Sequence, residues 1–558
     1  MRMFKRAPAL LCAAALCCGL LSGCDKGASK EFSLDVSVGS GVESLDPIYA
    51  QTPGDQTIIN HLYENLMRLS VDANGAYSAV PAMAKSVDTE ENPDGTMTYT
   101  FRLRSAKWSD GRSVKADDFV YAWQRLIDPA NDSPFAHMLQ VVCGYDEARE
   151  SGDMNLLQVT AKNDTTLVVN LTGDYEWFLT QVCTAPTTVP MRREQATTAA
   201  PENEEAAETG AEEAPWWADP TELLVNGPYQ AAGYVAGEGV LLGASETYYN
   251  AAKHSGPASI QFSFAETAAE AQAMYGQESV DAIWPLAGEA LKGKVEEGKA
   301  VSTVDTYTLL FNCAAAPFQD RAIRQAVVKV IDRNAIAGAV GETAVAAAGF
   351  VPHGVPDSLE KDFRTCAGDT IDNDPELYAQ YCLEAQDIIT AAGYDSGASF
   401  GELEYLYVSG GSNDAAAQEL CRQLRTILQM QVTPRGVTAE EREELLERGE
   451  YTMAGMNLTA FGNDAECFLL DWESESEKNV VLYENTAYDT LMAIIATAPD
   501  GTARLGCLHD AEDLLLDDAP LTPLYHSQTG WELREDLMGV FRDPRGFFSF
   551  SGAAKRTT

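Results

Sequence analysis

Residues 94–129, DGTMTYTFRLRSAKWSDGRSVKADDFVYAWQRLIDP, set two different periods side by side, and this limits the fold more than any other feature. After an Asp-Gly turn, Met97, Tyr99, Phe101 and Leu103 alternate with polar residues, which is the two-residue period of a half-buried strand. Phe119, Trp123 and Leu126 then fall on one helical face, and Pro129 stops the run. Strands and helices keep alternating. Asp320 caps RAIRQAVVKVIDRNAI, read as one helix with Ile323, Val327 and Val330 inward. PELYAQYCLEAQDIITAAG ends on Gly393, Asn413 can cap DAAAQELCRQLRTILQM, and ARLGCLHDAEDLLLDDAP closes at Pro520. No repeat of fixed period is present. At 558 residues the chain exceeds a single core, so two or three domains of mixed α/β or α+β character, with more than one lobe, are expected.

The amino terminus sets a second limit. Met1-Arg2 and Lys5-Arg6 precede an apolar run from Ala7 to Leu21, about 15 residues and short of the roughly 20 a spanning helix needs. That pattern is a secretory signal. Leu21-Ser22-Gly23-Cys24 resembles the bacterial lipoprotein processing box, which makes Cys24 the expected lipidated first residue of the mature chain. Residues 1–23 are then the signal and 24–31 a tether. No later run is long enough to cross a bilayer, so a soluble body held outside the cell by lipid is expected.

The formal charge is −45, and removal of Arg2, Lys5 and Arg6 with the signal takes it to −48. Such a surface repels nucleic acid and anionic headgroups. It permits neutral or cationic ligands, and it also serves plain solubility. From Glu194 to Ala214 the chain carries seven glutamates, no lysine or arginine and no large apolar side chain. A segment of this kind cannot offset its ordering entropy, so a disordered acidic loop is expected over 194–214. Eight cysteines remain in the mature body besides Cys24, at 143, 183, 313, 366, 382, 421, 467 and 507. They are dispersed without CxxC pairs and read mainly as buried thiols; Cys366 and Cys382 are the pair to test first for a disulfide.

Catalytic constellations are missing. The six histidines, at 61, 137, 254, 353, 509 and 526, give no HExxH or other metal-ligand spacing, and no G-x-S-x-G elbow occurs. GSGVES (39–44) lacks the third glycine of a dinucleotide fingerprint. Asp117-Asp118 and Asp517-Asp518 read as solvated helix faces. No nucleophile, base, metal site or cofactor site can be named, so a binding protein rather than an enzyme is expected.

Several separated segments resemble the extracellular solute-binding proteins of the peptide and nickel group, family 5, which serve ABC importers. ESLDPIYA is similar to the family's opening turn, and LYENLMRLSVDANGAYSAVPAMAKS to its helix, hairpin and Pro-Ala-Met-Ala run. The segment around WSDG and DFVYAWQRL carries the family signature. NGPYQ, FNCAAAPFQDRAIRQAVVKVIDRNAI, GFVPHG, YENTAYDTLM, AEDLLLDDAPLTPLYH and GFFSF follow in the family's order. The resemblance implies an α/β, two-lobed periplasmic-binding-protein-like fold (class II, cluster C type), with an extra small domain inserted in the first lobe. It places the first lobe at 32–74, 191–311 and 526–558, the small domain at 75–190 and the second lobe at 312–525. It also implies a monomer that closes over a peptide and delivers it to permease subunits, with a non-peptide cargo or a sensing role as the alternative.

The same resemblance nominates site residues. Gln51, Thr52 and Pro53 match the ligand-facing loop, and Phe135, Trp284 and Tyr307 match aromatic wall positions. Peptide binders of the family carry a segment like Gly-Trp-x-x-Asp-Tyr-x-Asp-Pro, whose first residues pair with the peptide as a strand and whose aspartate holds its amine. Here the segment is AGMNLTAFGNDAECFLLDW. Gly455, Met456 and Asn457 keep the strand positions, but no carboxylate falls at the clamp, which maps to Thr459–Phe461. Either Asp464 supplies it or the amine is not clamped in this way.

Overall fold

The computed structural model describes residues 32–556 apart from Ser40, 73–76, Glu176, 198–214, Ala287, 295–296, 359–360, Phe461 and 498–500. The expected signal, Cys24 and the tether lie outside the described residues, as do Phe461 and most of the acidic loop. Residues 194–197 of that loop belong instead to the short helix Arg193–Thr197. Ion pairs from Arg192 at 2.7 Å and Arg112 at 3.3 Å hold Glu194 there, and Gln195 Oε1 accepts the Leu224 amide at 3.0 Å.

Two strands of unusual length organise the chain. Ala300–Phe311 and Leu521–Leu533 pair antiparallel at the centre of an eleven-stranded sheet. On one side Met453–Thr459, Glu402–Val408 and Gln431–Val437 extend the sheet from the first of them. On the other, Ala282–Leu286, Ser33–Ser37, Ser259–Ser263, Gly239–Ala244 and Tyr229–Val235 extend it from the second. The chain therefore passes between two lobes along this central pair. An apolar core drawn from residues 307–525, with Phe311, Phe318, Tyr405 and Leu420, fills one face of the second lobe.

A separate four-stranded antiparallel sheet runs Ala84–Glu91, Met97–Leu103, Thr166–Leu171, Val159–Asn163. Its strand Met97–Leu103 buries Tyr99, Phe101 and Leu103, as the alternation requires. The helix Ala116–Ile127 buries Phe119, Trp123 and Leu126. Asp118 is not a solvated residue: its Oδ2 accepts the Lys115 amide at 2.8 Å and Trp108 Nε1 at 3.1 Å, which fixes the start of that helix. Asp518 is likewise buried, accepting from Tyr483 Oη at 2.8 Å and Asn485 Nδ2 at 2.6 Å.

Helix boundaries depart from the periodic reading in two places. The expected single helix from Arg321 is two, Arg321–Lys329 and Arg333–Val340, because Asp332 caps the second by accepting the Ala335 amide at 3.0 Å. The helix expected to start at Asn413 begins at Gly411, and Asn413 Nδ2 instead donates to Val408 O at 3.1 Å. Among the described residues no disulfide joins any of the eight cysteines of the body, Cys366 and Cys382 included.

The carboxyl terminus returns to the first lobe. Phe548 N donates to Thr57 Oγ1 at 3.2 Å and Phe550 N to His61 Nε2 at 2.9 Å, while His61 Nδ1 lies 2.6 Å from Thr57 O. These contacts require neutral imidazole, and burial, above all, lowers the His61 pKa from 6.5 to about 4. In the second lobe Arg364 and Glu512, both buried, join the segment 350–370 to the helix Gly501–Asp518. Two guanidinium nitrogens lie 2.8 and 2.7 Å from the carboxylate, which also accepts the amides of Phe350 and Val351 at 2.8 Å.

Two stability tests follow from these contacts. Glu512→Ala leaves a buried guanidinium without its anion and is expected to lower unfolding free energy by about 3–5 kcal/mol in urea melts. Between pH 6.5 and about 4 the unfolded chain protonates His61 and the folded chain does not, so stability tied to this residue falls as pH drops through that window. His61→Gln is expected to flatten the wild-type loss by about 3 kcal/mol in paired denaturation curves.

Candidate functional site

Ladder directions fix where a ligand can be held. The strand Ala300–Phe311 runs outward into the second lobe, since Ala300 pairs with Gly530 and Leu310 with Leu521. Met453–Thr459 runs back antiparallel and ends with Thr459 opposite Asp305, and Glu402–Val408 and Gln431–Val437 run with it. In the first lobe Ala282–Leu286 returns antiparallel to Leu521–Leu533, with Ser33–Ser37 and Ser259–Ser263 parallel to it. Parallel strands of both lobes therefore finish at the junction. Ligands of open α/β sheets bind outside such carboxyl ends, where the connections diverge and leave a crevice.

On the second-lobe side the strand Met453–Thr459 offers an edge. Its parallel neighbour pairs only at Tyr405↔Met453 and Leu406↔Ala454. Past Ala454 no strand among the described residues continues the pairing on that edge, which leaves the backbone groups of Asn457 and Thr459 there without a ladder partner. Gly455 is needed for close approach, because a Cβ there would sit 2.1 Å from Tyr405 Oη and 2.5 Å from Tyr307 Oη. Met456 is half-buried, whereas Asn457 and Thr459 are exposed.

Asp305 stands at the end of this strand. The central ladder slips between Ser302 and Thr306, which face Gln528 and His526, so residues 303–305 bulge from it. Asp305 Oδ1 accepts from Thr459 Oγ1 and, at 3.4 Å, from Asn457 Nδ2; its Oδ2 accepts from Thr303 Oγ1 at 2.7 Å. Among the described residues its carboxylate is met by neutral donors and by no cation.

On the first-lobe side the helix Pro53–Leu62 starts beside the end of Ser33–Ser37, since a Cβ on Gly54 would lie 2.9 Å from Val38 O. Thr52 caps that helix, Gln51 is exposed and Pro53 half-buried. Asp55 holds the loop by accepting the Glu43 and Ser44 amides at 3.1 Å, and burial raises its pKa to about 6. Phe135 is placed nearby: Ser133 Oγ donates to Ile48 O at 2.6 Å, just ahead of Gln51, and also accepts the Phe135 amide at 3.2 Å.

Other nominated residues are already engaged within the protein. Trp284 is buried against Phe548 with ring centroids 4.5 Å apart, and Tyr307 is buried against Tyr525 at 5.0 Å. Both do the ordinary work of large aromatics in a core, and neither ring lies on a free surface. Asp464 Oδ1 lies 2.6 Å from an Arg504 nitrogen that is also 2.7 Å from Glu466 Oε2, so it is held by a cation that it shares with Glu466. Just before it, Asn463 N donates to Gln181 Oε1 at 2.9 Å. Asp305 was not among the nominated residues; its only sequence signal is a lone carboxylate inside AVSTVDTYTLLF.

The comparisons with known proteins agree with this geometry. Residues 78–479 match the family described as bacterial extracellular solute-binding proteins, family 5 Middle. The chain is 28% identical over 503 residues to the periplasmic oligopeptide-binding protein OppA of Escherichia coli, covering 88% of this chain and 86% of that one. It is 26% identical over 493 residues to the same organism's "Probable deoxycholate-binding periplasmic protein YgiS", covering 87% and 86%. The structure of Haemophilus influenzae OppA in complex with RPPGFSPFR superposes with a TM-score of 0.71 at 24% identity, covering 95% of this chain and 100% of that one. The fold is thus the two-lobed periplasmic-binding-protein fold, and the chain belongs to the bacterial extracellular solute-binding proteins of family 5.

Proposed function

We propose that the protein captures peptides at the lobe junction and, held by lipid on Cys24 at the outer face of a membrane, passes them to the permease of an ABC importer. The observation that carries the reading is the strand edge Gly455–Thr459 at the carboxyl ends of the sheet, along which the parallel neighbour's pairing stops at Ala454. An extended peptide laid along it gains main-chain hydrogen bonds whatever its side chains, which suits a carrier of mixed peptides. Gln51, Thr52, Pro53 and Phe135 cover the ligand from the first lobe, and Met456, Asn457 and Thr459 border it from the second. The ligand's amino group sits at Asp305, which replaces the expected carboxylate near Thr459–Phe461 from across the ladder. Peptide cargo is further supported by relatives such as the oligopeptide-binding protein OppA of Escherichia coli.

The test is a thermal-shift and calorimetric screen of the mature chain against dipeptide to pentapeptide pools, with deoxycholate alongside because one relative carries that name. Saturable stabilisation by peptides is expected, growing with ligand excess. Stabilisation by deoxycholate and by no peptide pool would overturn the peptide reading. A second prediction isolates Asp305. Asp305→Asn is expected to weaken a peptide with a free amino terminus about 10- to 100-fold, the worth of one charged hydrogen bond. The N-acetylated form of the same peptide should bind wild type and variant alike.

A further inference from the structure

At the end of the second lobe remote from the junction, a cavity of about 690 Å³ opens between the helix Arg321–Lys329, the loop 370–375, the helix Tyr378–Ala391 and the end of the helix Gly501–Asp518. Its position follows from the ladder. Thr522, which lines it, pairs with Leu309, whereas the junction lies at Thr306↔His526 and beyond.

Arg333 lines the cavity and is 3% exposed. Its Nε donates to Pro523 O at 2.7 Å and one terminal nitrogen to Thr522 Oγ1 at 2.6 Å. Among the described residues no carboxylate pairs with it. Burial lowers its pKa to about 10. Two neutral donors would be enough to anchor the strand at Thr522 and Pro523. A guanidinium has five N–H groups in a planar fork suited to a carboxylate, and burying its charge without an anion is costly.

The rest of the lining selects the ligand's other end. Lys329 is paired with Glu384 at 2.9 Å. Asp372 accepts from Tyr381 Oη and from the Asp374 amide at 2.8 Å, with no cation on either carboxylate among the described residues. Asp332, Asp513 and Asp517 also line the cavity. A bare anion approaching Arg333 meets these carboxylates and the strongly negative surface beyond them. A molecule that carries its own cation does not. Val328, Ile331 and Leu516 supply apolar wall, and the volume lies in the range of small-molecule sites.

We propose that this cavity is a second ligand site for a small zwitterion with an apolar body, its carboxylate on Arg333 and its ammonium at Asp372 and Asp374. The site is independent of peptide capture at the junction.

The test uses the full mature chain and three matched probes by calorimetry at low ionic strength: phenylalanine, 3-phenylpropionate, which lacks the ammonium, and phenethylamine, which lacks the carboxylate. Saturable binding of phenylalanine is expected, with both analogues at least about tenfold weaker and with Arg333→Gln weakening phenylalanine by a similar factor. Because Arg333 also anchors Thr522 and Pro523, Asp372→Asn on the loop is the second variant, and it should weaken phenylalanine several-fold in a protein with wild-type melting. Three results would overturn the proposal: no saturable phenylalanine binding at millimolar concentration, 3-phenylpropionate bound as tightly as phenylalanine, or phenylalanine affinity unchanged in both variants.

Discussion

The antiparallel pairing of Ala300–Phe311 with Leu521–Leu533 is the contact on which the other features depend. Because both strands belong to both lobes, every neighbouring strand takes its direction from them, and the parallel strands on either side must finish at the same line. The pairing is also interrupted at that line. Residues 303–305 bulge where Ser302 faces Gln528 and Thr306 faces His526. The ladder slips again between Tyr307 and Thr308, which face Tyr525 and Pro523, so the irregular stretch 302–308 lies where the two lobes' shares of the sheet meet.

On the proposed reading, this geometry explains why a strand edge can serve as a binding surface without being an aggregation hazard. Edges left open on a sheet's rim invite pairing with other chains. The edge at Gly455–Thr459 lies instead beside the junction, where Asn463 reaches Gln181. A ligand strand can enter, whereas a second folded sheet is obstructed. Closure then depends on what the ligand adds to the closed state over the open one, because a ligand that bound both alike would shift nothing. Hydrogen bonds to the second lobe and cover from Gln51 and Phe135 of the first are additions of that kind.

Legibility in the sequence followed the range of the interaction. The strand Met97–Leu103 and the helix Ala116–Ile127 were readable because their side-chain periods are local. The order of segments led to the family in the same way. What period cannot supply is register between residues far apart. Asp305 meets Thr459 across more than 150 positions, and no spacing rule brings them together. The aromatic nominations show the converse. Trp284 and Tyr307 have the residue type of a binding wall, but large rings are stabilised most by burial, and packing against Phe548 and Tyr525 claims them. The break at Asp332 was hidden for a third reason: an aspartate within an apolar pattern looks like an exposed helical position until its side chain takes a backbone amide.

In the second lobe several charged side chains meet opposite charges. Arg364 meets Glu512, Arg504 meets Asp464 and Glu466, and Lys329 meets Glu384. Asp305 and Arg333 depart from this habit in opposite senses. Asp305 is an anion at the junction served by hydroxyls and an amide. Arg333 is a buried cation served by a carbonyl and a hydroxyl. Both lie against the same central strand pair, one near each end of the second lobe's share of it. A chain with a formal charge of −45 attracts cations everywhere along its surface, so attraction alone cannot make Asp305 selective. Selectivity there must come from the strand edge beside it, which asks for a backbone as well as an amine. At Arg333 the same field acts against the ligand's anion, and only a compensating positive group within the same molecule removes that opposition. One electrostatic background thus asks for different chemistry at the two places, an extended main chain at the first and an internally neutral molecule at the second.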